Sequence, residues 1–297
     1  MKEDTATNTS TMPSAHPPLF ELTNATVVRA GNPILSVQSF RLDEGEQVAL
    51  LGPNGSGKST FVKLITREVL PLFRENPPVR FKGQPRATLA EVKQCLGIVS
   101  SSMQDQIAVH LPAIDVVAGG LFGTLGVLPS AKSADEARSA AFQKMVLLGV
   151  EDLANRDIMT LSTGQARRVL IARALVHDPD TLVFDEPCTG LDPEGMHYVR
   201  ASMRMLAQAG KGIVLVTHYP EDVIPEIKRI VLLKDGKVFA DGSKQDVLTD
   251  TTMSALFGVP LRVTRTCAPV SAVNRGSNTS EIHDAREEEY FSLVSTY

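Results

Sequence analysis

Between Leu19 and Val263 the chain changes its hydrophobic period several times, and each change marks an element. Phe20 to Val28 and Ile34 to Phe40 alternate apolar with polar residues, the pattern of antiparallel strands with one covered face. The runs Gln47-Val48-Ala49-Leu50-Leu51, Leu96-Gly97-Ile98-Val99, Thr181-Leu182-Val183-Phe184 and Gly212-Ile213-Val214-Leu215-Val216 are compact and apolar. Strands read that way when both faces are buried, as in a parallel sheet. Ile230 to Leu233 and Val238-Phe239 flank Lys234-Asp235-Gly236-Lys237, where Asp-Gly predicts a type I′ hairpin turn. Between Asp105 and Thr160 the period turns helical and loop-rich, with Ser133 to Leu148 as its clearest amphipathic segment. The expected class is α/β: a parallel-sheet core in residues 19–263, an antiparallel β edge and an inserted helical portion at about 105–160.

The ends read differently. Residues 1–18 form a polar tail closing on Pro17-Pro18, and 264–297 mix Ser, Asn and Thr with the acidic run Glu287-Glu288-Glu289. Both are expected to be disordered tails, since neither offers enough apolar surface to offset ordering. The longest uncharged stretch, Val116 to Leu128, is shorter than the roughly 20 residues a bilayer needs and is interrupted by four glycines. The N-terminus lacks the apolar core of a signal peptide. Cys95, Cys188 and Cys267 are far apart and lack metal-ligand spacing, which suits reduced thiols. A net charge of −4 speaks against a nucleic-acid partner. The expectation is a soluble cytoplasmic protein.

One stretch carries chemistry at every fixed position. Gly52-Pro53-Asn54-Gly55-Ser56-Gly57-Lys58-Ser59-Thr60 fits the phosphate-binding template G-x-x-x-x-G-K-S/T, with an apolar strand before it and helical spacing from Phe61 after it. The glycines let successive N–H groups converge on one anion, and a helix N-terminus adds partial positive charge. Lys58 would reach the outer phosphates and the Ser59 hydroxyl would ligate Mg²⁺. This implies a nucleoside triphosphate.

Later motifs narrow the class. Leu161-Ser162-Thr163-Gly164-Gln165 resembles the LSGGQ signature of ATP-binding cassette (ABC) proteins, with Thr163 in place of a glycine. Ser162 and Gln165 also have capping-box spacing. Thr181 to Pro187 resembles the Walker B strand of that family, ending in the carboxylates Asp185 and Glu186. Gln104 looks like the Q-loop glutamine, with Gln106 two residues on. Thr189-Gly190-Leu191-Asp192 looks like the D-loop and His218 like the H-switch. The chain is thereby similar to a single nucleotide-binding domain of transporter type, on a RecA-like P-loop NTPase core.

The resemblance implies ATP and Mg²⁺ as ligands. It puts Gly52 to Thr60, Arg29, Ser162, Gly164, Gln165 and Asp192 around the nucleotide; Ser59, Gln104 and Asp185 on the metal; and Lys58, Glu186, Gln104 and His218 in hydrolysis. Family members place an aromatic against the adenine, but Val28-Arg29-Ala30-Gly31 has none, so Arg29 would stack there and discriminate poorly between bases. The implied mechanism is a head-to-tail dimer with a second copy or a homologous cassette, serving a separate transmembrane permease from the cytoplasmic face. The competing reading is a stand-alone cytosolic cassette ATPase with a soluble partner. Ile107, Val109, Leu111, Leu121 and Phe122 are expected to form an apolar partner surface.

Overall fold

The computed structural model describes residues 17–127, 133–269 and 287–295. Nine strands make one sheet: β1 (Phe20–Arg29), β2 (Asn32–Leu42), β3 (Gln47–Leu51), β4 (Val79–Phe81), β5 (Leu96–Ser100), β6 (Thr181–Asp185), β7 (Gly212–Thr217), β8 (Arg229–Lys234) and β9 (Lys237–Ser243). Their order is β4-β1-β2-β9-β8-β3-β7-β6-β5. The half from β8 to β5 is parallel, with β3 between β7 and β8, and β1, β2 and β4 form the antiparallel edge. The apolar runs thus sit where both faces are covered. Ala49 and Leu51 face one core cluster while Val48 and Leu50 face the other, as a period of two requires.

Helices cover the two faces unequally. On one side α1 (Lys58–Ile65) packs with the antiparallel edge, and Phe61 meets Phe40 edge to face at 4.9 Å. After α2 (Leu89–Cys95) and α3 (Ser101–Asp105) the chain enters α4 (Ala113–Ala118) and α5 (Ala134–Leu147). Then α6 (Thr163–Leu175) and α7 (Pro193–Gln208) pack under the other face. Asp235 and Gly236 both have positive φ, 50° and 71°, so the β8–β9 turn takes the expected form.

The C-terminal expectation fails for residues 264–269 and 287–295; its remainder, 270–286 and 296–297, lies outside the described residues. After the short helices α8 (Lys244–Val247) and α9 (Asp250–Phe257), β10 (Leu261–Pro269) pairs antiparallel with β11 (Glu287–Ser295). Phe291 is 5% exposed, the Leu293 N–H donates to Glu221 at 2.8 Å, and Arg204 bridges Glu226, Glu288 and the Tyr290 hydroxyl. An acidic run reads as solvated when its cationic partner, Arg204, lies 84 residues away. The N-terminal expectation falls outside the described residues, save Pro17 and Pro18.

Candidate active site

The phosphate loop leaves β3 and enters α1 through a path that only glycine allows at two points. A Cβ on Gly52 would lie 2.3 Å from the Leu233 carbonyl oxygen, and Gly57 has φ of 103°. Lys58, 6% exposed, folds back over the loop. Its Nζ donates to the carbonyls of Gly52 at 2.8 Å and Pro53 at 3.2 Å, and lies 3.6 Å from Glu186 Oε1. Burial pulls the Lys58 pKa below its ordinary value, opposed by Glu186 and Asp185. An ammonium so desolvated gains much from an added anion.

Two adjacent carboxylates, Asp185 and Glu186, stand at the tip of β6. Glu186 has φ of 50°, a left-handed conformation that a non-glycine residue seldom adopts. Its Oε2 accepts from His218 Nδ1 at 2.8 Å and from the Thr189 hydroxyl at 3.3 Å. Asp185 Oδ1 is buried with no hydrogen-bond partner among the described residues. Burial, then the charge of Glu186, pushes its pKa up to about 6. An orphaned, buried carboxylate oxygen at the tip of β6 fits a hydrated Mg²⁺, which takes few protein ligands and completes its shell from phosphates and water.

A cavity of about 530 Å³ joins Lys58, Ser59, Glu186, Thr189 and His218 to Arg29 at its rim. Asn54, Gly55, Gly57 and Thr60 also line it, so the loop, Glu186 and His218 face one space. Ser56 Oγ lies buried behind the loop, again without a partner. A larger concavity of about 620 Å³ between β4 and α2 contains none of these groups.

Five expected residues lie elsewhere, and Asp185 is also absent from the cavity wall. Gln104 is absent from the cavity wall; its Oε1 accepts from Arg167 at 2.9 Å and its Nε2 donates to the Thr163 carbonyl at 3.4 Å. Ser101, the first residue past β5, lines the cavity instead. The reason is register: β5 ends with Ser100 opposite Asp185, so Ser101 is level with Glu186 and Gln104 falls a helical turn later. Ser162 and Gln165 form a capping box at the start of α6, and Asp192 Oδ1 caps α7 through Gly195 N at 2.8 Å. Gly164 packs against α7: a Cβ there would lie 3.0 Å from the Gly195 Cα. Within one chain, then, the signature does not meet the phosphate loop.

The expected apolar surface divides. Ile107 is 7% exposed and Leu111 packs on the core, whereas Val109, Leu121 and Phe122 face outward.

Sequence reasoning missed Ser101 and Ile34, which line the cavity, and Arg167, which holds Gln104. Arg167 left a usable signal, because it shares a helical stripe with Leu170, Ile171 and Ala174, all buried.

Comparison with known proteins gives the same reading. The ABC transporter family model matches residues 35–189. An uncharacterised ABC transporter ATP-binding protein of Bacillus subtilis, YlmA, is 30% identical over 82% of this chain and 93% of its own length. The energy-coupling factor transporter ATP-binding protein EcfA of Methanocaldococcus jannaschii is 31% identical over 84% and 86%. The structure of cbiO1 from Clostridium perfringens, part of the ABC transporter complex cbiONQ, superposes with a TM-score of 0.66 at 25% identity, covering 80% of this chain and 94% of that one. With its phosphate loop, Glu186 and His218 gathered on one cavity, this chain is an ATP-binding, ATP-hydrolysing member of the ABC transporter family.

Proposed function

We propose that this chain is the ATPase subunit of a membrane transporter and works as a head-to-tail pair with a separate permease. The observation that carries the site reading is the convergence of Lys58, Glu186 and His218 beside the partnerless oxygen of Asp185. Lys58 would exchange its carbonyl contacts for the outer phosphates. Ser59 and Asp185 would hold Mg²⁺, which supplies charge neutralisation on the phosphates when bound. Glu186, aimed by His218 and Thr189, would orient a water and take up its proton. The contact of Nδ1 with Glu186 leaves Nε2 of His218 for another partner. Arg29 at the rim is placed to stack on the base.

Pairing follows from what one chain leaves undone. Ser162 and its helix start are exposed and outside their own cavity, and the capping box uses the N–H groups of Ser162 and Gln165, so those of Thr163 and Gly164 suit the phosphates of a second subunit. Relatives carry transporter names, and no helix among the described residues is long and apolar enough to cross a membrane. The spanning portion is therefore assigned to another chain, with this one on the cytoplasmic face. Affinity purification of the Glu186→Gln variant from membranes in Mg-ATP tests both halves. Recovery of a dimer with an integral membrane protein is expected. A monomer that elutes alone, or with soluble proteins only, would favour the stand-alone reading.

A further inference from the structure

We infer that Arg167 is a positioning residue for hydrolysis, holding the main chain that carries the Glu186 carboxylate. The inference rests on the role given to Glu186 above and identifies what keeps that side chain in place.

Arg167 lies in the second turn of α6 and is 2% exposed, although it carries a full charge. A guanidinium that deep is tolerated only where its donors are well used. Its Nη1 donates to the Pro187 carbonyl at 2.8 Å and to the Glu186 carbonyl at 3.3 Å, while its Nε donates to Gln104 Oε1 at 2.9 Å. The first two acceptors belong to the turn in which Glu186 takes φ of 50°. A non-glycine residue stays in that conformation only if its surroundings over-determine it. Here the Glu186 N–H donates to Val216 at 2.8 Å on one side, and its carbonyl receives Arg167 and the Thr189 N–H on the other. With the peptide fixed at both ends, the side chain projects to Lys58 and His218. Because a guanidinium is a planar fork, the start of α6, the Q-loop helix α3 and the Glu186 turn are set relative to one another by one rigid group. A lysine at 167 could satisfy one acceptor but not three.

The test is a double-mutant cycle on the purified full chain. Arg167→Met keeps the length and removes the donors; Arg167→Lys keeps the charge. Arg167→Met is expected to lower kcat for Mg-ATP about tenfold or more while KM moves by less than about threefold, with Arg167→Lys between it and the parent. In the Glu186→Gln background, Arg167→Met should have no further effect on single-turnover hydrolysis, because the route it acts through is already gone. An unchanged kcat in Arg167→Met, or the same additional fall in the Glu186→Gln background, overturns the proposal. If Arg167→Met does not fold, Arg167→Lys carries the cycle. Loss of the folded state in both makes Arg167 a core residue and overturns it too. Full turnover by Glu186→Gln alone would sink the Glu186 role first, and the Arg167 proposal with it.

Discussion

Asp185→Asn should make the ligand-free protein more stable and leave it unable to use Mg-ATP. The Asp185 carboxyl is pushed up to about 6 from an ordinary 3.8, mainly by burial. At about 1.4 kcal/mol per pH unit, holding it ionised at neutral pH costs up to about 3 kcal/mol. Asparagine removes that cost but leaves a buried amide without a partner, a loss of about 1–2 kcal/mol. The net expectation is a gain of about 1–2 kcal/mol for the variant at pH 7.5. The sign with pH is specific. Since the folded-state pKa lies above the unfolded value, the penalty is absent below about 4, grows between about 4 and 6, and is complete above that. The variant's advantage should therefore appear across this window and vanish in more acid solution. Urea unfolding in EDTA at pH 4, 5, 6 and 7.5 measures the difference, and other titrating groups cancel between the two proteins. Saturating Mg-ATP should then raise wild-type stability by about 2.7 kcal/mol at a hundred times its Kd, and the variant by much less. A stability difference that stays flat with pH would refute the reasoning about the buried charge. A variant stabilised by Mg-ATP as much as the wild type would refute the metal assignment.

Lys58→Ala removes the buried cation of the loop and should lower hydrolysis by orders of magnitude in a phosphate-release assay; near-normal turnover would remove Lys58 from the chemistry. With Arg29 rather than an aromatic ring at the rim, ATP and GTP should be hydrolysed with kcat/KM values within about tenfold of each other. A larger preference would mean that another group reads the base. Leu121→Asp and Phe122→Asp alter side chains 39% and 47% exposed, so both variants should unfold cooperatively and keep basal ATPase activity yet no longer co-purify with the membrane partner. Retained co-purification would place the docking surface elsewhere.

The sequence patterns located the elements better than they placed side chains. Apolar runs and the Asp-Gly turn specify strands because parallel burial and type I′ geometry leave a local trace, and β3, β5, β6, β7 and the β8–β9 hairpin lie where that trace puts them. Motif order likewise singled out Lys58, Glu186 and His218, which line one cavity. Gln104 shows the limit. Whether a residue faces a cavity or a neighbouring helix depends on where the strand before it ends, and the Ser100–Asp185 pairing that decides this is a contact between segments 85 residues apart. The same holds for β11. Its acidic residues gain their meaning from Arg204 and its Phe291 from the site that buries it, and neither partner is adjacent in the chain. Arg167 falls between the two cases, since its helical stripe foretold burial but not the carbonyls it holds.

The bracing of the phosphate loop has a consequence for how the protein is made. Leu233 closes over Gly52, and the Gly236 N–H donates to the Ser56 carbonyl at 3.0 Å, so the loop owes its shape to residues about 180 positions further on. Its strand β3 is also flanked on both sides by late segments, β7 and β8. At about 5–20 residues per second, a ribosome needs roughly 10–40 seconds between delivering the motif and delivering its supports. For most of that time the central strand has no neighbours, a slow and exposed stage that long-range pairing imposes. Nascent chains arrested before Gly236 should be blind to ATP. Nucleotide would then act as a late inspector of synthesis, stabilising only molecules whose distant segments have closed on the loop.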